Sequence, residues 1–134
     1  MNILKAFQKK QIKQVKDATF VPSGLVGLNA GNFYYVKGNK RFKFVSERAM
    51  HSWALPVLKI DATFLNKLTS GGTLGFRDGS LVQDISDGKI YLISDSKRRH
   101  VIDPSVLEWF DREIIKAGQK EILVHEEGET LSDI

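Results

Sequence analysis

GNFYYVKGNKRFKFVSERAMHSW, residues 31–53, and GKIYLISDSKRRHVIDPSVLEWF, residues 88–110, lie over one another at a constant offset of 57 positions. Within them Gly31 meets Gly88, Tyr34 meets Tyr91, Lys40 meets Lys97, Arg41 meets Arg98, and Trp53 meets Phe110. The same offset continues without a gap through Lys59 and Lys116, Gly71 and Gly128, Thr73 and Thr130, and Leu74 and Leu131. Eight identities fall in the 44 paired positions, where roughly three would arise from ordinary composition. Apolar positions follow the same offset: Phe33, Val36, Phe44, Met50 and Leu65 stand over Ile90, Ile93, Val101, Leu107 and Ile122. Upstream, SGLVGLNAGN and DGSLVQDISDGK correspond once a shift of one residue is allowed. The chain therefore reads as two tandem repeats, 19–75 and 76–134, preceded by a separate segment 1–18.

The second copy carries the clearer local signals. SLVQDI and KIYLIS are strand-like runs parted by Ser86-Asp87-Gly88, a hairpin turn cluster, and Asp95-Ser96 turns the chain into a third strand over 98–102. Asp103-Pro104 then supplies a capping side chain and a proline at the first helical position. A helix is predicted through SVLEWFDREIIKA to Gly118, with Val106, Leu107, Phe110, Ile114 and Ile115 on its core face. In the first copy Ser46 caps the matching helix and Pro56 ends or kinks it. Thr63–Leu68 and Glu121–His125 are expected as closing extended stretches, and Gly71, Gly72 and Gly75 as a link between repeats. The fold class is α+β: each repeat a small antiparallel hairpin or meander followed by a helix, with a helical arm in front.

That arm is basic. Lys5, Lys9, Lys10, Lys13 and Lys16 fall in the first sixteen residues, which hold no acid, while Leu4, Phe7, Ile12 and Val15 share one helical stripe. The lysines break any apolar run, so no signal-peptide core or membrane span is expected, and the chain reads as made in a cytoplasm without membrane insertion. A helix this short is marginal alone and must dock, either on its own domain or on another subunit. The last fourteen residues hold Glu121, Glu126, Glu127, Glu129 and Asp133 and no Lys or Arg. Opposite poles of this kind suit head-to-tail contact between copies, or a basic arm on an acidic neighbour, or are simply two solvated ends.

Chemistry is sparse. With 134 residues, 42% of them hydrophobic and 27% charged, the chain is an ordinary globular domain rather than a disordered or coiled-coil one. It has no cysteine, which removes disulfides, thiolate ligands and thiol nucleophiles. His51, His100 and His125 are scattered without a second ligand at metal spacing. Asp78, Asp84, Asp87 and Asp95 sit around turns, and the glycines near 71–75 lack the Lys-Ser/Thr of a phosphate loop. No catalytic residue, cofactor site or metal site is expected, so the chain reads as a non-enzyme. The partner-binding candidates are the arm (Lys5, Phe7, Lys9, Lys10, Lys13, Lys16), the paired basic turns (Lys40, Arg41; Lys97, Arg98, Arg99) and Trp109, which is offset by one from the paired core aromatic. The turns, with Tyr34, Tyr35 and Phe42 nearby, suggest contact with a polyanion such as nucleic acid or a glycan; alternation along a strand would split them between faces.

The succession Asp78-Gly79-Ser80-Leu81-Val82, Tyr91-Leu92-Ile93, Lys97-Arg98, Ile102-Asp103-Pro104, with Leu65-Asn66 before a Gly-rich stretch, resembles a module of tailed-phage virion proteins and of some bacterial surface proteins. The resemblance runs over about residues 20 to 134; the first copy lacks the helix-start proline and the acid-Gly before its strand. It implies a structural or attachment role, as a tail, baseplate or connector protein of a virion, with other virion subunits and further copies of itself as partners. A polyanion- or glycan-binding module is the alternative.

Overall fold

The computed structural model of the protein describes residues 24–131. The segment 1–18, with its five lysines and Phe7, lies outside the described residues. The chain forms two compact units that divide between Leu74 and Gly75. It is α+β, with two sheets and short helices.

The first unit runs β1 (Leu25–Asn29), β2 (Asn32–Lys37), β3 (Lys40–Phe44), α1 (Glu47–His51), β4 (Val57–Lys59), α2 (Ala62–Asn66) and β5 (Thr69–Leu74). Its sheet has the order β4-β1-β2-β3-β5. The three leading strands form an antiparallel meander, whereas β4 runs parallel to β1 and β5 parallel to β3. Parallel neighbours need a crossover, and the two helices supply it. Side chains alternate across the strands, so both faces of the sheet are covered. Val26, Phe44 and Met50 pack on one side with Phe33, Tyr35, Trp53 and Val57. Leu25, Val36 and Leu58 pack on the other with Ile60, Phe64, Leu65, Leu68 and Tyr34. Burial on two faces is why NFYYVK is apolar at four successive positions rather than at alternate ones. Ser46 does cap α1, its Oγ accepting from the Ala49 amide at 3.1 Å, and Asp61 caps α2 through the Phe64 amide at 2.8 Å.

The second unit runs β6 (Leu81–Asp84), β7 (Ile90–Ser94), β8 (Lys97–His100), a 3-10 helix (Pro104–Trp109), β9 (Ile114–Ala117) and α3 (Gln119–Ile122). Its sheet order is β8-β7-β6-β9, with β9 parallel to β6. Two parallel bridges, Arg98 with Glu127 and Val101 with Leu131, lay the end of the described chain along β8. Val101, Val106 and Leu131 form a core with Leu92, Leu107 and Phe110 under the 3-10 helix. Pairings in the two units recur 57 residues apart. Val36 opposes Arg41 as Ile93 opposes Arg98; Arg41 meets Ser70 as Arg98 meets Glu127; Phe44 meets Leu74 as Val101 meets Leu131. The leading strands differ: Val26 pairs with Val57 and Leu81 with Ile114, so β1 and β6 stand 55 apart, a shift of two rather than one.

Three expectations are overturned. The helix through Ala117 stops at Trp109, and Ile114–Ala117 is a strand whose two adjacent isoleucines suit a ladder with Leu81 and Val82. The stretches read as extended, 63–68 and 121–125, instead hold most of α2 and the end of α3, which form the second crossover in each unit. Gly71 and Gly72 belong to β5 rather than to a link. Gly71 is required by packing: a Cβ there would lie 2.3 Å from the Phe42 ring, which covers it. Gly71→Ala is therefore expected to lower the thermal midpoint of the native protein. In a Phe42→Ala background the same change is expected to be neutral or stabilising by up to about 1 kcal/mol, because alanine is intrinsically better than glycine in a strand. Calorimetry of the four variants of this cycle checks the reversal of sign.

Candidate functional site

Strand alternation parts the basic turns as expected, and the structure gives their arginines partners within the fold. The Arg41 side chain turns onto the face that carries α2, where Nη1 donates to the Leu65 carbonyl at 2.8 Å and to the Leu68 carbonyl at 2.5 Å. These carbonyls lie at the end of α2, and that of Leu65 also accepts from the Leu68 amide at 3.1 Å. In the second unit Arg98 Nη1 donates to the His125 carbonyl, and His125 stands 57 residues beyond Leu68. Arg99 lies over Gly128, where a Cβ would sit 3.3 Å from its Cγ, and its Nε donates to the Glu129 carbonyl at 3.1 Å. Lys40 and Lys97, at the same turns, are exposed. In the second unit the structure thus brings together Lys97 and Arg99 beside Gly128 and Glu129, and turns Arg98 onto the His125 carbonyl.

His125 is 2% exposed and is the feature sequence reasoning missed. Its Nδ1 donates to the Ser96 carbonyl at 2.7 Å and its Nε2 accepts from the Phe76 amide at 2.9 Å, which sets the neutral Nδ1–H tautomer. The ring packs against Phe76, and Gly75 passes so close that a Cβ would meet Nε2 at 2.3 Å. Ser96 is one of two turn residues with positive φ, Asp95 at 53° and Ser96 at 67°, and Asp78 Oδ1 accepts from its amide at 2.8 Å. His125 and Asp78 thus hold a turn that non-glycine residues adopt at a cost. The offset of 57 was the available signal: the position is Leu68 in the first unit, so a histidine here replaces a core leucine.

Trp109 ends the 3-10 helix and is 71% exposed. Phe110 packs into the core beside it, as Trp53 packs against Tyr35 with ring centroids 5.3 Å apart. Among the described residues the exposed large apolar side chains all lie in the second unit: Ile85, Ile102, Trp109, Ile114, Leu123 and Val124. Among the described residues no group of three or more His, Cys, Asp or Glu could hold a metal ion, and no helix is long and apolar enough to cross a membrane. No protein-family model matches the chain. Comparison with curated proteins and with solved structures likewise finds no match.

Replacing Arg41 or Arg98 by methionine keeps much of the apolar stem and removes the side-chain donor from the Leu68 or the His125 carbonyl, so each change is expected to cost about 1–3 kcal/mol in urea unfolding. Lysine, with a single ammonium in place of the fork, is expected to recover only part.

For His125, burial pushes the imidazole below its ordinary range. The Ser96 carbonyl and the Asp78 charge pull it back up, and Arg98 adds to the lowering. An unfolded histidine takes up its proton near pH 6.5 while the folded one resists. The stability it contributes is therefore full above pH 6.5 and is lost as the pH falls below it. The urea midpoint of the second unit is expected to drop between pH 7.5 and 5.5, and His125→Leu to flatten that dependence.

Proposed function

We propose that the chain is a non-enzymatic structural component of a tailed-phage virion, a tail, baseplate or connector protein, built as two tandem copies of one unit and acting through contacts between subunits. The observation that carries this reading is Trp109, an aromatic side chain 71% exposed beside a core that Phe110 already fills. Such a residue adds nothing to the packing of its own unit and suits an interface anchor. The recurrence of pairings at an interval of 57 residues supports the repeat. The engagement of Arg41, Arg98 and Arg99 with backbone carbonyls supports a role in holding the fold rather than in chemistry. The likeness of the sequence to virion modules supports the setting. Its partners are then other virion subunits and further copies of itself.

The second reading, a module for a polyanion or surface glycan, keeps exposed Lys37, Lys40, Lys43 and Lys97 as its ligands. It has less to work with once the arginines are engaged within the fold. Sedimentation of the full chain over a range of concentrations at low and high salt separates the two. The virion reading predicts a discrete ring, closed oligomer or filament, whose contacts follow from the symmetry of the interface. A monomer at every concentration that binds a sulfated polymer with a steep salt dependence contradicts it and establishes the second.

A further inference from the structure

Resting on that assembly reading, we infer that the surface of segment 102–114 in the second unit is the docking site for the basic N-terminal segment of a second copy of this chain. The segment presents three exposed apolar side chains, Ile102 at 53%, Trp109 at 71% and Ile114 at 38%. Four acids accompany them, Asp103, Glu108, Asp111 and Glu113, all exposed. Its one basic side chain, Arg112, has its Nη1 directed onto the Gly79 carbonyl at 2.5 Å. The exposed side chains of this segment are therefore apolar and acidic, with its one cation engaged.

The first unit shows that the fold does not require this. At the corresponding positions, 45–57, the counterpart of Trp109 is Ser52, whose hydroxyl donates to the Ala49 carbonyl at 2.6 Å. Glu47 is the only acid there, with Arg48 and His51 beside it. The apolar and acidic character belongs to the second unit alone.

The occupant that matches it lies in the same chain. Leu4, Phe7, Ile12 and Val15 recur at helical spacing and Lys5, Lys9, Lys10, Lys13 and Lys16 surround them, with no acid before Asp17. A sequence with this pattern presents an apolar stripe that needs a partner, because a helix of this length is marginal alone in water. Apolar stripe on apolar side chains, with lysines toward Asp103, Glu108, Asp111 and Glu113, satisfies both surfaces at once. An arm from one copy on the next gives a dimer if the exchange is reciprocal and a ring or filament if it is not.

The test uses full-length chains. One variant carries Trp109→Ser, the residue found at the corresponding place in the first unit; the other carries Lys5→Glu, Lys9→Glu, Lys10→Glu and Lys13→Glu. Each alone is expected to self-associate at least about tenfold more weakly than the native chain by sedimentation, as removal of an interface anchor does. Mixed, they are expected to form a 1:1 complex, since one retains the arm and the other the surface. Should Trp109→Ser alter the thermal midpoint, Glu108→Lys with Asp111→Lys serves in its place. A folded surface variant that assembles like the native chain overturns this inference and leaves the assembly reading standing. A native chain that stays monomeric at every concentration overturns both.

Discussion

An arginine that reaches from the third strand of the meander to the end of a helix is the constraint on which each unit depends. Arg41 lies on β3, opposite Val36, and its guanidinium takes the Leu65 and Leu68 carbonyls. Arg98 lies on β8, opposite Ile93, and takes the His125 carbonyl. The helices concerned span five and four residues. Helices so short have little cooperativity of their own. Fixing their ends to the sheet positions the strand that follows, β5 in the first unit and the 126–131 stretch in the second. Once that strand is set, Phe44 can pair with Leu74 and Val101 with Leu131.

The same constraint explains which parts of the fold were legible. The meander was, because turn residues such as Asp95-Ser96 and Gly88 stand between runs that favour strands. The caps Ser46, Asp61 and Asp103 mark helix starts in the same local way, although only Ser46 and Asp103 were read as such. The parallel strands β4 and β9 were not legible. Ile114-Ile115 continues the apolar spacing of Val106 and Phe110, so periodicity extends the helix where a partner strand 33 positions away ends it. Propensity and pattern act over a few residues, and a parallel ladder is a long-range contact that neither encodes. The candidate site was legible in residue type but not in orientation. Lys-Arg pairs at matching turns suggest a surface, whereas the inward direction of every second residue gives one member of each pair to the fold.

Where the two units depart from one another, the departures are informative. Phe42 covers Gly71 while Arg99 covers Gly128, so a hydrophobic lid is replaced by an aliphatic stem that ends in a hydrogen bond. Leu68 gives way to His125, which exchanges apolar packing for two directed hydrogen bonds and sensitivity to acid. Ser52 gives way to Trp109. The first unit is the more completely covered by its own side chains. The second carries both the buried titratable groups, Asp84, Glu121 and His125, and the exposed apolar ones, which is the division of labour expected if one unit completes a scaffold and the other makes contacts.

The claim at the centre of this account is that the turn arginines belong to the fold rather than to a ligand. Side-chain nitrogen NMR of the arginine Nη–H groups, followed while a sulfated polyanion is titrated in, addresses it directly. The Arg41 and Arg98 resonances are predicted to exchange slowly with solvent and to stay in place throughout the titration. Rapid exchange in the free protein, or saturable shifts of both resonances on adding the polymer, would contradict the account and return these side chains to a binding surface.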